Sequence, residues 1–256
     1  MSHAIWEGYI SIGLVNIPVK IYSAISSSAL SFRLLCKKCH TPLKYERYCP
    51  KCKKHVRWDE TVKGYELTKG EFVVLEDKDF EHVKLESKKK LEIEFFTHEY
   101  DIDPLYMNKS YYVLPERGGE KAYLLLKEIL QITSKVAVGR VIIKNRERVA
   151  MLRPFKQGML LTTLHYIEDI LPIESFPGLN ISERVSREEL ELAKELVRRY
   201  TKPFHLEKFR DRYKEALMEI IKKKARGEKI RPVELEIKET KDLMKALKAS
   251  IQIKKK

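Results

Sequence analysis

From Ile5 to Ala24 apolar and polar residues alternate, many of the apolar ones β-branched, with Gly8, Gly13 and the Asn16-Ile17-Pro18 corner as punctuation. Successive side chains of a strand point to opposite faces, so this period of two predicts strands over Ala4–Ile12 and Pro18–Ser23. Extended character returns at Thr61–Tyr65 and Glu71–Leu75 around Gly70, and at Leu91–Phe96 and Ser110–Leu114. It returns again at Val136–Ile143, Val149–Pro154 and Gly158–Leu164, the first two of these joined by a turn spanning Lys144 to Arg148. Glu76–Phe80 reads as a short helical turn. Within the first two thirds of the chain the period changes convincingly to 3.6 only between Gly119 and Thr133, with Ala122, Leu125, Leu126, Ile129 and Leu130 on one stripe. Many short strands with one helix predict a β-barrel.

The pattern shifts after the Pro- and Gly-containing stretch from Leu171 to Gly178, which reads as a linker to a helical arm. Ser186-Arg187-Glu188-Glu189 is a capping box, in which Ser and Glu satisfy each other's free backbone N–H groups at a helix start. It opens a helix expected to bury Leu190, Ala193, Leu196, Val197 and Tyr200 and to stop before Pro203. A second helix, Leu206–Arg226, is expected to bury Phe209, Tyr213, Leu217 and Ile220 and to end at Gly227 as its C-cap. A third, Lys238–Ile251, carries Leu243, Ala246, Leu247 and Ser250 on one side. The chain is thus of mixed α+β class, with a β-rich part over 1–180 and a helical arm and basic tail over 181–256.

Composition adds a partner class. Lys and Arg number 51 against 37 Asp and Glu, a net charge of +14. That excess favours polyanionic partners without separating DNA from RNA or from an anionic membrane surface. No apolar run approaches the ~18 residues of a membrane helix, and the first residues lack the basic and apolar regions of a leader. A cytoplasmic protein without membrane association is the expectation.

All four cysteines fall in one window, Cys36-x2-Cys39-x9-Cys49-x2-Cys52. Each Cys-x2-Cys folds a tight knuckle that aims two sulfurs at one point, and two knuckles on a short hairpin make the four-thiolate tetrahedron that zinc prefers. Pro42 and Pro50 are expected in the turns. A closed sulfur shell makes this a structural zinc, one per chain, inside a ribbon-like insertion over about 33–58. Iron, a pair of disulfides or free buried thiols are the other readings of the spacing. Arg33, Lys37, Lys38, Lys44, Arg47, Lys53 and Lys54 crowd the same segment, interleaved with Tyr45, Tyr48 and Trp58. A rigid basic loop studded with aromatics is a nucleic-acid contact in outline, because cations bound to phosphates release condensed counterions. The plainer alternative is a solvated basic surface.

Several blocks match a known family. The run Ala4-Ile5-Trp6-x-Gly8-x-Ile10-Ser11-x-Gly13-Leu14-Val15-Asn16-Ile17-Pro18-Val19-Lys20-Ile21-Tyr22-Ser23-Ala24 closely resembles the amino-terminal motif of prokaryotic Ku proteins. Val62-Lys63-Gly64-Tyr65-Glu66 with Phe72-Val73-Val74-Leu75, Asp103-Pro104-Leu105-Tyr106 ahead of Tyr111-Tyr112-Val113-Leu114, and the stretch from Leu152 to Tyr166 follow in family order. The resemblance spans about residues 3 to 250. It implies a Ku-type β-barrel with a DNA-encircling bridge and a helical arm. It further implies a homodimeric, non-enzymatic clamp that threads onto double-stranded DNA ends without sequence specificity and recruits and stimulates a DNA ligase in non-homologous end joining, in the cytoplasm with the nucleoid. On that likeness Arg140, Lys144, Arg146 and Arg148 belong to the inner wall that faces phosphates. The apolar stripe with Leu243 and Leu247 is expected to offer a ligase-binding surface, although such a stripe is more often simple packing.

Two other classes compete. A metal-dependent nuclease would use Asp101 with Asp103, or His165 with Glu168 and Asp169. Asp101-x-Asp103-Pro104 is more often a polar turn before proline, and the second group more often a satisfied histidine with solvated acids at a strand end. A zinc-ribbon nucleic-acid-binding regulatory factor would need nothing beyond the cysteine segment.

Overall fold

The computed structural model describes residues 3–26, 29–82, 89–179 and 181–228. The chain divides into two compact units, Met1–Pro172 and Ile173–Lys256. The first holds seven strands closed into a barrel: β1 (Trp6–Ile12), β2 (Val15–Ser23), β7 (Lys90–His98), β8 (Met107–Pro115), β9 (Lys135–Ile143), β10 (Arg146–Phe155) and β11 (Gly158–Leu164). Their order round the barrel is β1-β2-β8-β11-β10-β9-β7, and a parallel pairing of β1 with β7 closes the ring. Closure removes the unpaired edges that an open sheet would expose.

The alternation read from the sequence is what fills the barrel. Ile10 from β1, Ile17, Val19 and Ile21 from β2, Leu91 from β7, Val113 from β8 and Leu152 and Leu161 from β10 and β11 share one buried cluster. The helix α2 (Glu120–Thr133) adds Tyr123, Leu126 and Leu130 to that cluster. Buried Tyr123 donates its hydroxyl to the Val113 carbonyl at 2.6 Å, so burial of its polar tip costs little. Leu125 and Ile129, expected on the inner stripe, face out instead.

Two small hairpins sit outside the barrel sheet: β3 (Arg47–Cys49) with β4 (Lys54–Val56), and β5 (Lys63–Thr68) with β6 (Glu71–Leu75), followed by the short α1 (Asp77–His82). Strand limits shift by a few residues from the sequence reading, and three differences have a local cause. β2 starts at Val15, because Gly13 in a left-handed conformation (φ 56°) turns the chain in two residues. The turn expected over Lys144 to Arg148 is only Lys144-Asn145, both at positive φ (53° and 60°), which returns Arg146, Glu147 and Arg148 to strand β10. Such a pair of left-handed residues matches the twist of the flanking strands. Pro42 lies in an isolated bridge with Leu35, not in a turn.

In the second unit α3 (Arg187–Tyr200) carries the capping box as read, with Glu189 N–H donating to Ser186 Oγ at 3.2 Å and Ser186 N–H to the Glu189 carboxylate at 2.7 Å. These donors hold the Glu189 carboxyl below its ordinary range. α4 (Arg212–Ala225) begins at an Asp211 cap and leaves Phe209 outside the helix. The expected burial of both faces is not found: no side chain of α3 or α4 is buried, and Leu190, Val197, Tyr200 and Tyr213 are exposed. Periodicity reports that a stripe needs cover, not what supplies it. The helix expected over 238–251, with Leu243 and Leu247, lies outside the described residues.

Candidate nucleic-acid interface

A cleft beside the β9–β10 turn collects four cationic side chains. Lys144, Arg146 and Arg148 from that hairpin meet Asn108 and Lys109 at the start of β8. Lys109 is fixed by a break in strand register: between Thr162 and Leu164 the β11–β8 pairing shifts, and the Thr163 hydroxyl accepts from the Lys109 N–H at 3.2 Å. None of these four cations has a carboxylate partner among the described residues. The sequence reading missed Lys109, whose only local signal is a polar Asn-Lys-Ser ahead of an apolar strand.

Arg140 differs from its neighbours. It lies on β9 beside β7 and pairs with Glu94 at 2.9 Å and with Glu147 at 3.8 Å. A guanidinium neutralised twice offers little to a phosphate. Glu94 lies too far away in sequence for the pairing to be read without the barrel register.

The cysteine segment consists of two matching hairpins. In the first, Cys36 N–H donates to the Thr41 carbonyl at 2.9 Å and Leu43 N–H to the Leu34 carbonyl at 2.9 Å, with Cys36 and Cys39 at the tip. In the second, β3–β4 carries Cys49 and Cys52 at its tip. The residue after each knuckle is left-handed: His40 (φ 55°) and Lys53 (φ 52°). Cys52 N–H points at Cys49 Sγ at 3.5 Å. Hydrogen bonds from Thr41, with a further one from Cys36, lower the Cys39 thiol to about 7, and those from Cys52 lower Cys49. The Cys49 sulfur in turn holds the Cys52 thiol up, so each knuckle offers one thiol whose ionisation is favoured, and thiolate is the donor that zinc takes. The backbone of each half therefore fits a metal, yet among the described residues no three His, Cys, Asp or Glu side chains come together as one metal-holding group. The two halves are formed, and the tetrahedron between them is not.

Arg33, Lys37, Lys38, Lys44, Arg47, Lys53 and Lys54 are all exposed. Lys54 lies 3.9 Å from Glu60, and Arg47 rests its guanidinium 4.2 Å from the Trp58 ring centre. The others have no carboxylate partner among the described residues. His55 is engaged with Glu46 at 3.2 Å.

In the nuclease reading's second group His165 Nδ1 lies 3.9 Å from the Asp169 carboxylate at an exposed strand end, and the carboxylates of its first group serve local turns. Asp101 accepts from the Thr97 hydroxyl at 2.6 Å and from His98 N–H at 3.1 Å, which hold its carboxyl below the usual range. Asp103 caps the turn of Pro104–Tyr106, accepting from Leu105 N–H at 2.8 Å.

Comparison with known proteins agrees with this architecture. A family model described as the Ku70/Ku80 beta-barrel domain matches residues 11–192. A non-homologous end joining protein Ku of Archaeoglobus fulgidus is 42% identical over 249 residues, covering 97% of this chain and 98% of the relative. Proteins of the same name from Symbiobacterium thermophilum (42% identical, 97% of this chain and 62% of the relative) and Bacillus subtilis (38%, 97% and 81%) also match. The chain belongs to the Ku family. The cysteine segment is therefore part of a family member matched over nearly its whole length, not a free-standing ribbon.

Proposed function

We propose that two copies of the chain form a non-enzymatic clamp that threads onto double-stranded DNA ends in non-homologous end joining. The observation that carries this reading is the group of four cations, Lys109, Lys144, Arg146 and Arg148, on one wall of a closed barrel and without a carboxylate partner among the described residues. Phosphates are the same at every step of a duplex, so a wall of Lys and Arg binds without reading sequence. Relatives named for end joining over the same span support the pathway. The exposed apolar stripes of α3 and α4 support the dimer, since an uncovered apolar surface of that kind is a docking surface. Selectivity for ends then comes from topology: a closed clamp loads only where the duplex stops.

The test is one plasmid, cut and uncut, offered at equal concentration. Binding to the linear form with a steep salt dependence and little binding to the covalently closed circle is the expected result. Equal affinity for both removes the threading mechanism.

Two finer elements belong to the same proposal. A DNA ligase docks on the segment containing Leu243 and Leu247, so a chain ending before Lys238 should bind ends normally and fail to accelerate ligation; undiminished acceleration places the ligase elsewhere. One zinc per chain joins the two cysteine knuckles, with Cys36, Cys39, Cys49 and Cys52 as ligands. Metal analysis should give one equivalent, and Cys39→Ser should lower it and the melting temperature together, because binding free energy at such a site is folding free energy. A metal-free protein with unchanged melting contradicts it.

A further inference from the structure

We infer that the cleft between the cysteine segment and the β5–β6 hairpin is a stacking site for one unpaired base of a DNA overhang. The inference rests on the end-binding reading and extends it from the duplex to the single-stranded tip.

The platform is the Arg47–Trp58 pair. Trp58 is 73% exposed on a turn whose backbone is held by hydrogen bonds. Arg57 N–H donates to the Glu60 carboxylate at 2.9 Å and the Thr61 hydroxyl donates to the Trp58 carbonyl at 2.7 Å, which locks the turn that presents the indole. Arg47, which makes no ion pair among the described residues, lies over the ring at 4.2 Å. Indole and guanidinium are both flat groups, and a planar base stacks on either kind.

The cleft beside the platform has the lining that a base edge needs. Thr61, Val62 and Leu75 form its less polar side, and Glu76 offers a carboxylate with no partner among the described residues. Its other acids are already paired: Asp59 with Arg57 at 3.0 Å and Asp77 with Lys63 at 3.2 Å. Arg47 and Glu76 are then the two lining charges without an ion-pair partner among the described residues and offset each other, so the cleft holds no excess charge for a phosphate, while the exocyclic amino group of adenine, cytosine or guanine has an acceptor in Glu76. Thymine lacks that donor. The cations that would steer the strand, Lys44 and Lys53, lie on the same cysteine segment outside the cleft.

The experiment uses the full chain and short duplexes closed at one end by a hairpin. The free end is blunt, carries a single-stranded tail of four deoxyadenosines, or carries a tail of four abasic residues with the same phosphates. Stacking of a base is worth a factor of about 5 to 100 in affinity, so the adenine tail should bind that much more tightly than the abasic tail. Trp58→Ala should erase the difference and leave blunt-end affinity unchanged, and Trp58→Phe should retain most of it. Equal binding of adenine and abasic tails by the native chain overturns the inference while leaving the clamp intact. So does a Trp58→Ala variant that weakens blunt and tailed ends alike or changes the oligomeric state, since Trp58 would then serve structure. Failure to bind any of the three ends removes the clamp reading and this one with it.

Discussion

Gly139→Ala is expected to destabilise the barrel by about 3 kcal/mol, the upper range for forcing extra atoms into a packed site. The register explains why. Gly139 lies opposite Ile93, where the β7–β9 pairing shifts between Ile93 and Phe95, and a β-carbon there would run into the Glu92 carbonyl and the Ile93 Cα. These are backbone atoms of a strand that pairs on both sides, with β9 and with β1, so no side-chain rotation relieves the clash. Gly13→Ala is the contrasting change. Gly13 has positive φ (56°) and nothing within 4 Å of the added carbon, so only the backbone strain of about 1 to 2 kcal/mol remains. Denaturant midpoints compare the two. A Gly139→Ala midpoint no lower than that of Gly13→Ala would show that the β7 bulge relaxes.

The second large effect is on DNA. Replacing Lys144 with Asn and Arg146 and Arg148 with Gln should flatten the plot of log affinity against log salt by about 0.9 for each phosphate that is no longer neutralised. The fold should survive: the three side chains make no ion pair among the described residues, and Asn keeps the left-handed turn position accessible. Arg140→Gln should change the slope far less, because its charge is already answered by Glu94 and Glu147, and the loss of those exposed pairs costs at most about 1 kcal/mol. If Arg140→Gln weakens binding as much as the triple change, the phosphate-facing wall lies further along β9 than the cleft suggests.

The barrel was legible because its strands are wet on one face. Ile17, Val19 and Ile21 alternate with Pro18 and Lys20, and the alternation is the barrel's inside and outside. β11 is buried along nearly its whole length and was legible by its β-prone run between Phe155 and His165. Register was not legible, because it depends on bulges such as those in β7 and β8–β11. With it went the Arg140–Glu94 pair and the arrival of Lys109 beside Arg146. In the arm, the Ser186 capping box is a local interaction between residues three apart and was read correctly. Burial of Leu190 and Val197 was not, since an apolar stripe is indifferent to whether its cover comes from the same chain. The cysteine knuckles fall between these cases: each is local and formed, and their union needs a partner that the sequence names only through spacing.

A topological trap tests the central claim most directly. The protein is loaded on linear plasmid, the ends are joined by ligase, and the closed product is washed at a salt concentration that strips protein from uncut circles. The clamp reading predicts that protein stays on the newly closed circle and leaves once a restriction enzyme opens it. Release from the closed circle as fast as from the linear form would contradict it.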